Sequence, residues 1–136
     1  MADTLRLEIV TPQATAFSED VHMVTLPAAE GQIGVYPRHV RLITQIVPGE
    51  LMVTKDGVER SLAVGEGLVE ITGDRVSIVT DMAIAAERID EAKVEEARER
   101  AAARLREKIS DEEVASVNAS LARSLAQLQV KRRRRM

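Results

Sequence analysis

The sequence predicts an α+β chain. An N-terminal all-β sandwich or flattened barrel spans residues 1–86, and a C-terminal antiparallel two-helix hairpin spans residues 87–136. Three observations predict it. All seven Gly and all four Pro lie before residue 81, where they punctuate short apolar runs. From residue 83 onward there is neither, and Ala, Glu and Arg, all good helix formers, dominate. Charge changes sign at the same border: within a whole-chain value of −3, residues 1–86 sum to −6 and residues 87–136 to +3. An acidic body is joined to a basic-ended appendage.

The strands come first. Leu5, Leu7 and Ile9 alternate with Arg6 and Glu8, the period-2 pattern of a half-buried strand. Val21, Met23 and Thr25 alternate with His22, Val24 and Leu26, and Pro27 is expected to stop that run. Gln32-Ile33-Gly34-Val35 reads as a short strand closed by Pro37. Pro48-Gly49 is turn chemistry, with Gly expected to take a positive φ. Two hairpins follow. Residues 51–54 and 58–64 flank Lys55-Asp56-Gly57, and residues 68–72 and 75–79 flank Gly73-Asp74, both turns again calling for positive φ. Many short strands at close spacing make a sandwich or flattened barrel.

The first helix is expected over about residues 90–109, with Asp90 as N-cap and acidic Glu91, Glu95 and Glu96 at its positive end. Val94, Ala97, Ala101, Leu105 and Ile109 fall on one face. Ser110-Asp111-Glu112-Glu113 fits a capping box that starts the second helix. Its expected apolar stripe is Val114, Val117, Leu121, Leu125 and Leu128, and it ends in Lys131, Arg132, Arg133, Arg134 and Arg135. With almost no linker, the helices fold back on each other.

Composition narrows the function classes. There is no Cys, which excludes disulfides, thiolate metal sites and cysteine nucleophiles. Aromatics are 1%, Phe17 and Tyr36, so the core is aliphatic and base-stacking platforms are nearly absent. No apolar run approaches the roughly 18 residues that span a bilayer, and the first residues lack the basic and apolar regions of a signal peptide. No phosphate loop, dinucleotide turn or nucleophile elbow is present. His22 and His39 lack metal-ligand spacing and read as structural or surface groups. Acidic residues on the first helix sit beside cations, as in Glu95/Arg98 and Glu96/Arg100, which is an ion-pair face rather than a catalytic carboxylate pair. The basic tail admits three readings: a solvated end complementing the helix dipole, a nucleic-acid contact, or docking on an acidic protein surface.

The segment from Pro27 to Leu51, PAAEGQIGVYPRHVRLITQIVPGEL, resembles the epsilon subunit of bacterial rotary ATP synthases. That family typically reads Pro-x-x-x-Gly-x-Leu/Ile-Gly-x-x-Pro-Gly-His-x-Pro-Leu-x-Thr, then Pro-Gly. The match continues through the hairpins and the Ile89-Asp90 helix start, covering essentially the whole chain. Arg38 stands where the family usually has Gly, and Arg41 where it usually has Pro, which adds positive charge to one loop.

The resemblance implies a non-catalytic subunit of the central rotor of a proton- or sodium-driven synthase. Its partners would be the gamma subunit, the c-ring and, transiently, the alpha/beta catalytic head, with one copy per complex and no nucleic acid. It would sit peripherally at the cytoplasmic face of a bacterial inner membrane, held there through the complex. Gln32, Gly34 and His39 match the family's partner-contact regions, Gln32 lying where the family often has an acidic residue. The hairpin would be regulatory: folded against the sandwich, or extended toward the head to oppose ATP hydrolysis, with Arg123, Lys131, Arg132, Arg133, Arg134 and Arg135 meeting acidic surfaces there. Small Ala97 and Ala101 on the first helix are expected to make the docked state only marginally favoured. Some members bind ATP through Ile/Leu-Asp-x-x-Arg-Ala and further Arg on both helices. Here the motif reads Ile89-Asp90-Glu91-Ala92-Lys93-Val94, Arg100 and Arg123 match Arg positions, and Gln127 replaces another Arg. The implied ATP site on Asp90, Lys93, Arg100 and Arg123 is weak, Lys93 lacking the planar fork of Arg; Asp90 also reads as a plain N-cap. No cofactor is expected, ATP standing only as a regulatory ligand. The rivals to this reading are a nucleic-acid-binding module using the basic tail and a sandwich enzyme with an unrecognised carboxylate site.

Overall fold

The structure is a computed structural model and describes residues 3–135; Met1, Ala2 and Met136, which end the two expected units, lie outside the described residues, as does the side chain of Arg135. Ten strands precede two helices: β1 Leu5–Val10, β2 Thr15–Val21, β3 Met23–Ala28, β4 Gly31–Val35, β5 Leu42–Ile46, β6 Gly49–Lys55, β7 Val58–Val64, β8 Gly67–Ile71, β9 Arg75–Thr80 and β10 Ala83–Ala85. A 3-10 turn at Ala86–Arg88 leads to α1 Glu91–Leu105 and α2 Asp111–Arg135.

One sheet wraps into a near-closed sandwich in the order β10-β7-β6-β3-β5-β8-β9-β1-β2, with β4 pairing β3 off this path. Neighbours are antiparallel except β1 and β9, which are parallel. The alternation in β1 turns Leu5, Leu7 and Ile9 inward to 1% exposure or less, where they meet Leu26, Leu51, Ile71 and Ile78. The core is aliphatic, as its composition requires; Phe17 packs only at its margin.

The path has two ends, β10 and β2, and side chains rather than a backbone ladder bridge from β2 to the other side. Glu19 of β2 accepts from Lys55 Nζ of β6 at 3.2 Å and from Arg60 of β7 at 3.0 Å, while Arg60 lies over the Phe17 ring at 5.1 Å. The bond from Arg60 leads the effects that hold the Glu19 carboxyl below its usual pKa.

The hairpin lies on the outer face of β6 and β7. Ser61, Leu62, Ala63 and Val64 are all buried, so the inside-outside alternation of β7 disappears. Leu62 and Val64 belong to the sandwich core, while Ala63 joins a second cluster with Met82, Ala86, Ile89, Val94, Ala126, Leu128 and Val130. A strand covered on both faces loses its period-2 signature for this reason.

Several expectations are corrected. Pro27 does not stop its strand: β3 runs to Ala28, and the Pro27 carbonyl accepts from the Val47 amide at 2.9 Å. Gly49 opens β6 without a positive φ; a side-chain carbon there would lie 3.2 Å from Pro27 Cβ, so close approach selects glycine. Asp56 and Gly57, at φ 52° and 78°, take the expected positive angles, but the turn is two residues long because Lys55, expected in it, ends β6; His22 Nδ1 accepts from the Asp56 amide at 3.0 Å. Gly73 and Asp74 stay at negative φ. Their turn is held by Thr72, whose amide donates to the Arg75 carbonyl at 2.8 Å and whose hydroxyl donates to Asp74 Oδ1 at 3.0 Å.

α1 ends at Leu105, four residues early. The Arg106 and Glu107 amides turn back to the Ala103 and Arg104 carbonyls at 3.1 Å, and Arg104 pairs with Glu107 and, across the turn, with Glu113 of α2. The cap of α2 forms at Ser110, whose Oγ accepts from the Glu113 amide at 3.2 Å; the Glu113 carboxylate accepts from that hydroxyl rather than from a backbone amide. Leu125 is exposed, and buried Ser124, Ala126 and Val130 take its place. The C-terminal half of α2 is wedged between α1 and the sheet, and Leu125 points away.

Candidate functional site

Helical spacing divides the second half of α2 into three stripes. Ser124, Leu128 and Arg132 lie toward α1. Arg123, Gln127 and Lys131 lie toward the segment 81–86. Ala126, Val130 and Arg133 lie toward β6 and β7. Each stripe carries a cation with a partner. Arg132 pairs with Glu95 at 2.9 Å and Glu91 at 3.5 Å on α1. Arg123 pairs with Asp81 at 3.1 Å, Gln127 Nε2 approaches Met82 Sδ at 3.2 Å, and Lys131 Nζ donates to the Ala86 carbonyl at 3.4 Å. Arg133 reaches Glu50 with two nitrogens, Nε to Oε1 at 2.6 Å and Nη2 to Oε2 at 2.5 Å, and also donates to Ser61 Oγ at 3.2 Å.

The electrostatics follow. Burial works against the Glu50 carboxylate, but its bonds with Arg133 and Ser61 outweigh burial and hold its pKa below the usual value. The bond to Glu50 correspondingly raises Arg133. The bond from Arg98, against some burial and with help from Arg132, lowers Glu95. The tail is therefore not a plain solvated end: Lys131, Arg132 and Arg133 are engaged, and Arg134 is exposed.

The other expected site residues lie elsewhere. Gln32 and Gly34 are both exposed on β4, two residues apart and so on one face, and a carbon added at Gly34 would lie 3.1 Å from Met23 Cε. His39 sits beyond them in the loop, its Nδ1 2.6 Å from the Val40 carbonyl. Farther along the chain, Tyr36, Val40 and Ile43 stand 60%, 76% and 69% exposed. Arg38, in the glycine position of the resemblance, takes φ 68° and pairs with Asp3 at 2.6 Å.

Asp90 caps α1 by accepting from the Lys93 amide at 3.2 Å. Lys93 and Arg100 are exposed, and Arg123 turns to Asp81. A groove of about 810 Å³ opens between β2 and the β10–α2 side; Arg123 lines it, but Asp90, Lys93 and Arg100 do not. Its Arg60 and Arg123 are already paired with Glu19 and Asp81. Of the helix ion pairs expected on α1, Glu95/Arg98 forms, whereas Glu96/Arg100 is not among the ion pairs of the described residues. Glu50, Ser61 and Asp81 were not anticipated as tail partners. The one signal for Glu50 is its register on β6, between inward Gly49 and Leu51, which turns it outward.

The family model for the ATP synthase delta/epsilon chain β-sandwich domain matches residues 4–86, and that for the long α-helix domain of the same chain matches residues 87–132. The chain belongs to the ATP synthase delta/epsilon family. It is 40% identical to the ATP synthase epsilon chain of Herpetosiphon aurantiacus over 131 residues, covering 96% of each chain. It is 39% identical to that of Halorhodospira halophila over 127 residues, covering 92% of this chain and 90% of the relative. A chain of the Euglena gracilis mitochondrial ATP synthase shares its fold at a TM-score of 0.75 and 23% identity, over 93% of this chain and 79% of that one. As an epsilon-family member it is a non-catalytic accessory subunit of ATP synthase. A nucleic-acid module finds no support in these relatives, and Arg132 and Arg133 already hold carboxylates. Among the described residues, no helix is long and apolar enough to cross a membrane and no three acidic or His side chains gather as a metal site.

Proposed function

We propose that this chain is the central-stalk subunit that couples proton transport to ATP synthesis and restrains ATP hydrolysis through α1 and α2. The sandwich, residues 1–86, is the stalk and ring module, and residues 87–136 are the regulatory module. The sandwich binds the gamma subunit and rests on the c-ring through the face carrying Gln32, Gly34 and His39. Exposed Tyr36, next in the alternation after Gln32 and Gly34, extends that face with apolar area. One copy serves each complex, at the cytoplasmic face of a bacterial inner membrane, and the membrane is reached through partners. Extended toward the alpha/beta head, the hairpin presents Arg123 and the cations from Lys131 to Arg135. Nucleotide enters only as a weak ligand of Asp90, Lys93, Arg100 and Arg123.

The observation that carries the regulatory reading is the seam under α2. Its buried residues are Ala63, Met82, Ala86, Ile89, Val94, Ala126, Leu128 and Val130, a cluster separate from the sandwich core, with ion pairs along its edges. It holds fewer buried side chains than the core, and burial stabilises by about 25 cal/mol per Å², so the hairpin rests on the body without merging into its core. The test is deletion of residues 90–136 followed by assay of membrane-bound ATP hydrolysis. Hydrolysis is expected to rise; hydrolysis unchanged under all nucleotide conditions overturns the regulatory role.

A further inference from the structure

We propose that Glu50 is the latch of the docked hairpin: its carboxylate on the outer face of β6 receives Arg133 and decides whether the second half of α2 stays on the sandwich. The inference rests on the regulatory reading above and adds to it the contact that holds one of the two positions.

Four observations converge on Glu50. The contact is two-pronged, at 2.6 and 2.5 Å, and such forked pairs with arginine are the stronger kind. Glu50 has the most covered acidic side chain of any ion pair among the described residues, 18% exposed, while Arg133 above it is 46% exposed. Ser61, itself 2% exposed, accepts a third bond from the same guanidinium at 3.2 Å, which fixes Arg133 against β7 as well as β6. The apolar seam beneath joins small Ala63, Ala126 and Val130 to larger Met82, Ile89 and Leu128, and the fork to Glu50 ties its C-terminal edge to β6. Arg123 and Asp81 form the second ion pair between hairpin and body, beside the Lys131–Ala86 and Gln127–Met82 contacts. That pair is a single contact at 3.1 Å, with side chains 34% and 37% exposed, in a setting where ion pairs contribute little.

Removing Arg133 from Glu50 leaves a covered carboxylate without its cation, and an unpaired charge in such a place is penalised. Undocking relieves that penalty by returning Glu50 to water. The Arg133 fork that grips Glu50 is the same group the extended hairpin would offer to an acidic surface. Docking and partner contact therefore exclude each other at one side chain, and an acidic partner must break the latch to engage it.

The full-length chain has no cysteine, so a probe pair can be placed at Val58→Cys, exposed at the start of β7, and Gln129→Cys on the exposed side of α2, and the distance between the probes measured. Glu50→Gln should raise the undocked-to-docked ratio by about five- to tenfold. Arg133→Gln, which leaves the sheet untouched and strands the Glu50 charge, should raise it at least as much, and adding Glu50→Gln to it should give no further rise. Asp81→Asn should shift the ratio by less than about twofold. Probe distances unchanged in Glu50→Gln and Arg133→Gln, or additive effects in the double variant, overturn the latch. Hydrolysis in the assembled complex is read separately. If the probes separate and hydrolysis does not fall, the latch stands and the regulatory reading fails.

Discussion

The sandwich core and the seam beneath α2 bury side chains by different means. Inside the sandwich, Leu5, Leu7, Ile9, Leu26, Leu51 and Ile78 interlock at 1% exposure or less. Under α2 the buried residues are smaller, and charged contacts run along both edges. Large interlocking aliphatics make a surface that opens only by unfolding. Small side chains rimmed by ion pairs make one that two finished pieces can share and leave. The difference teaches that the same chain holds a permanent core and a separable contact, and that residue size marks which is which.

The contrast breaks most visibly by substitution on each side. Leu7→Ala in the core should cost about 3 kcal/mol in urea unfolding and weaken amide protection throughout the sandwich. Ala126→Leu under α2 should cost about 1–3 kcal/mol by overpacking, and protection should fall in α1 and α2 while β1 and β9 keep theirs. Equal loss of protection in both regions from both variants would make the chain one cooperative unit and dissolve the contrast.

Acid sharpens it next. The Glu50 pKa is lowered in the docked state, so its contribution is fully present above the ordinary glutamate range and is lost as pH falls through the depressed value. Arg133 and Arg134 face Glu50 from α2 and stay charged across that window, and Glu59 acts on Arg133 from β7. Probe distances followed from pH 7 downward should lengthen below about pH 4.5, the ordinary glutamate value, while circular dichroism of the sandwich holds. Glu50→Gln should remove that step.

The smallest effect is in the loop. Arg38 adopts φ 68°, a left-handed conformation that disfavours a side chain by roughly 1 kcal/mol. Arg38→Gly should relieve that strain, offset by unfolded-chain entropy and by loss of the Asp3 pair. The expected net change in thermal midpoint is within about 3 °C. A large loss of stability would mean that the Asp3 pair, not the backbone angle, governs this loop.

Much of this was legible in the residues, and the failures have physical causes. Period-2 alternation identified β1, Asp56-Gly57 identified the β6–β7 turn, and Asp90 and Ser110 identified both helix starts. β2 was missed because its Ala-Phe-Ser-Glu-Asp run does not alternate; it ends the sheet, and its hold across the seam is charge from Glu19. The end of α1 was missed because the Arg104–Glu113 tie that shapes the turn depends on the partner helix. Small Ala97 and Ala101 were read as the weak docking face, but α1 packs on α2 rather than on the sheet, and the docking face belongs to Ala126 and Val130. The tail's partners were hidden for a similar reason. Glu50 and Arg133 are 83 residues apart, and no local pattern encodes a contact made by folding a finished helix onto a finished sheet.

That arrangement makes α1 a passenger. It packs chiefly on α2, and its fifteen residues are near the length at which a lone helix in water is marginal. A chain cut in the turn between the helices would leave α1 without its main support, while α2 keeps its own seat on β6 and β7.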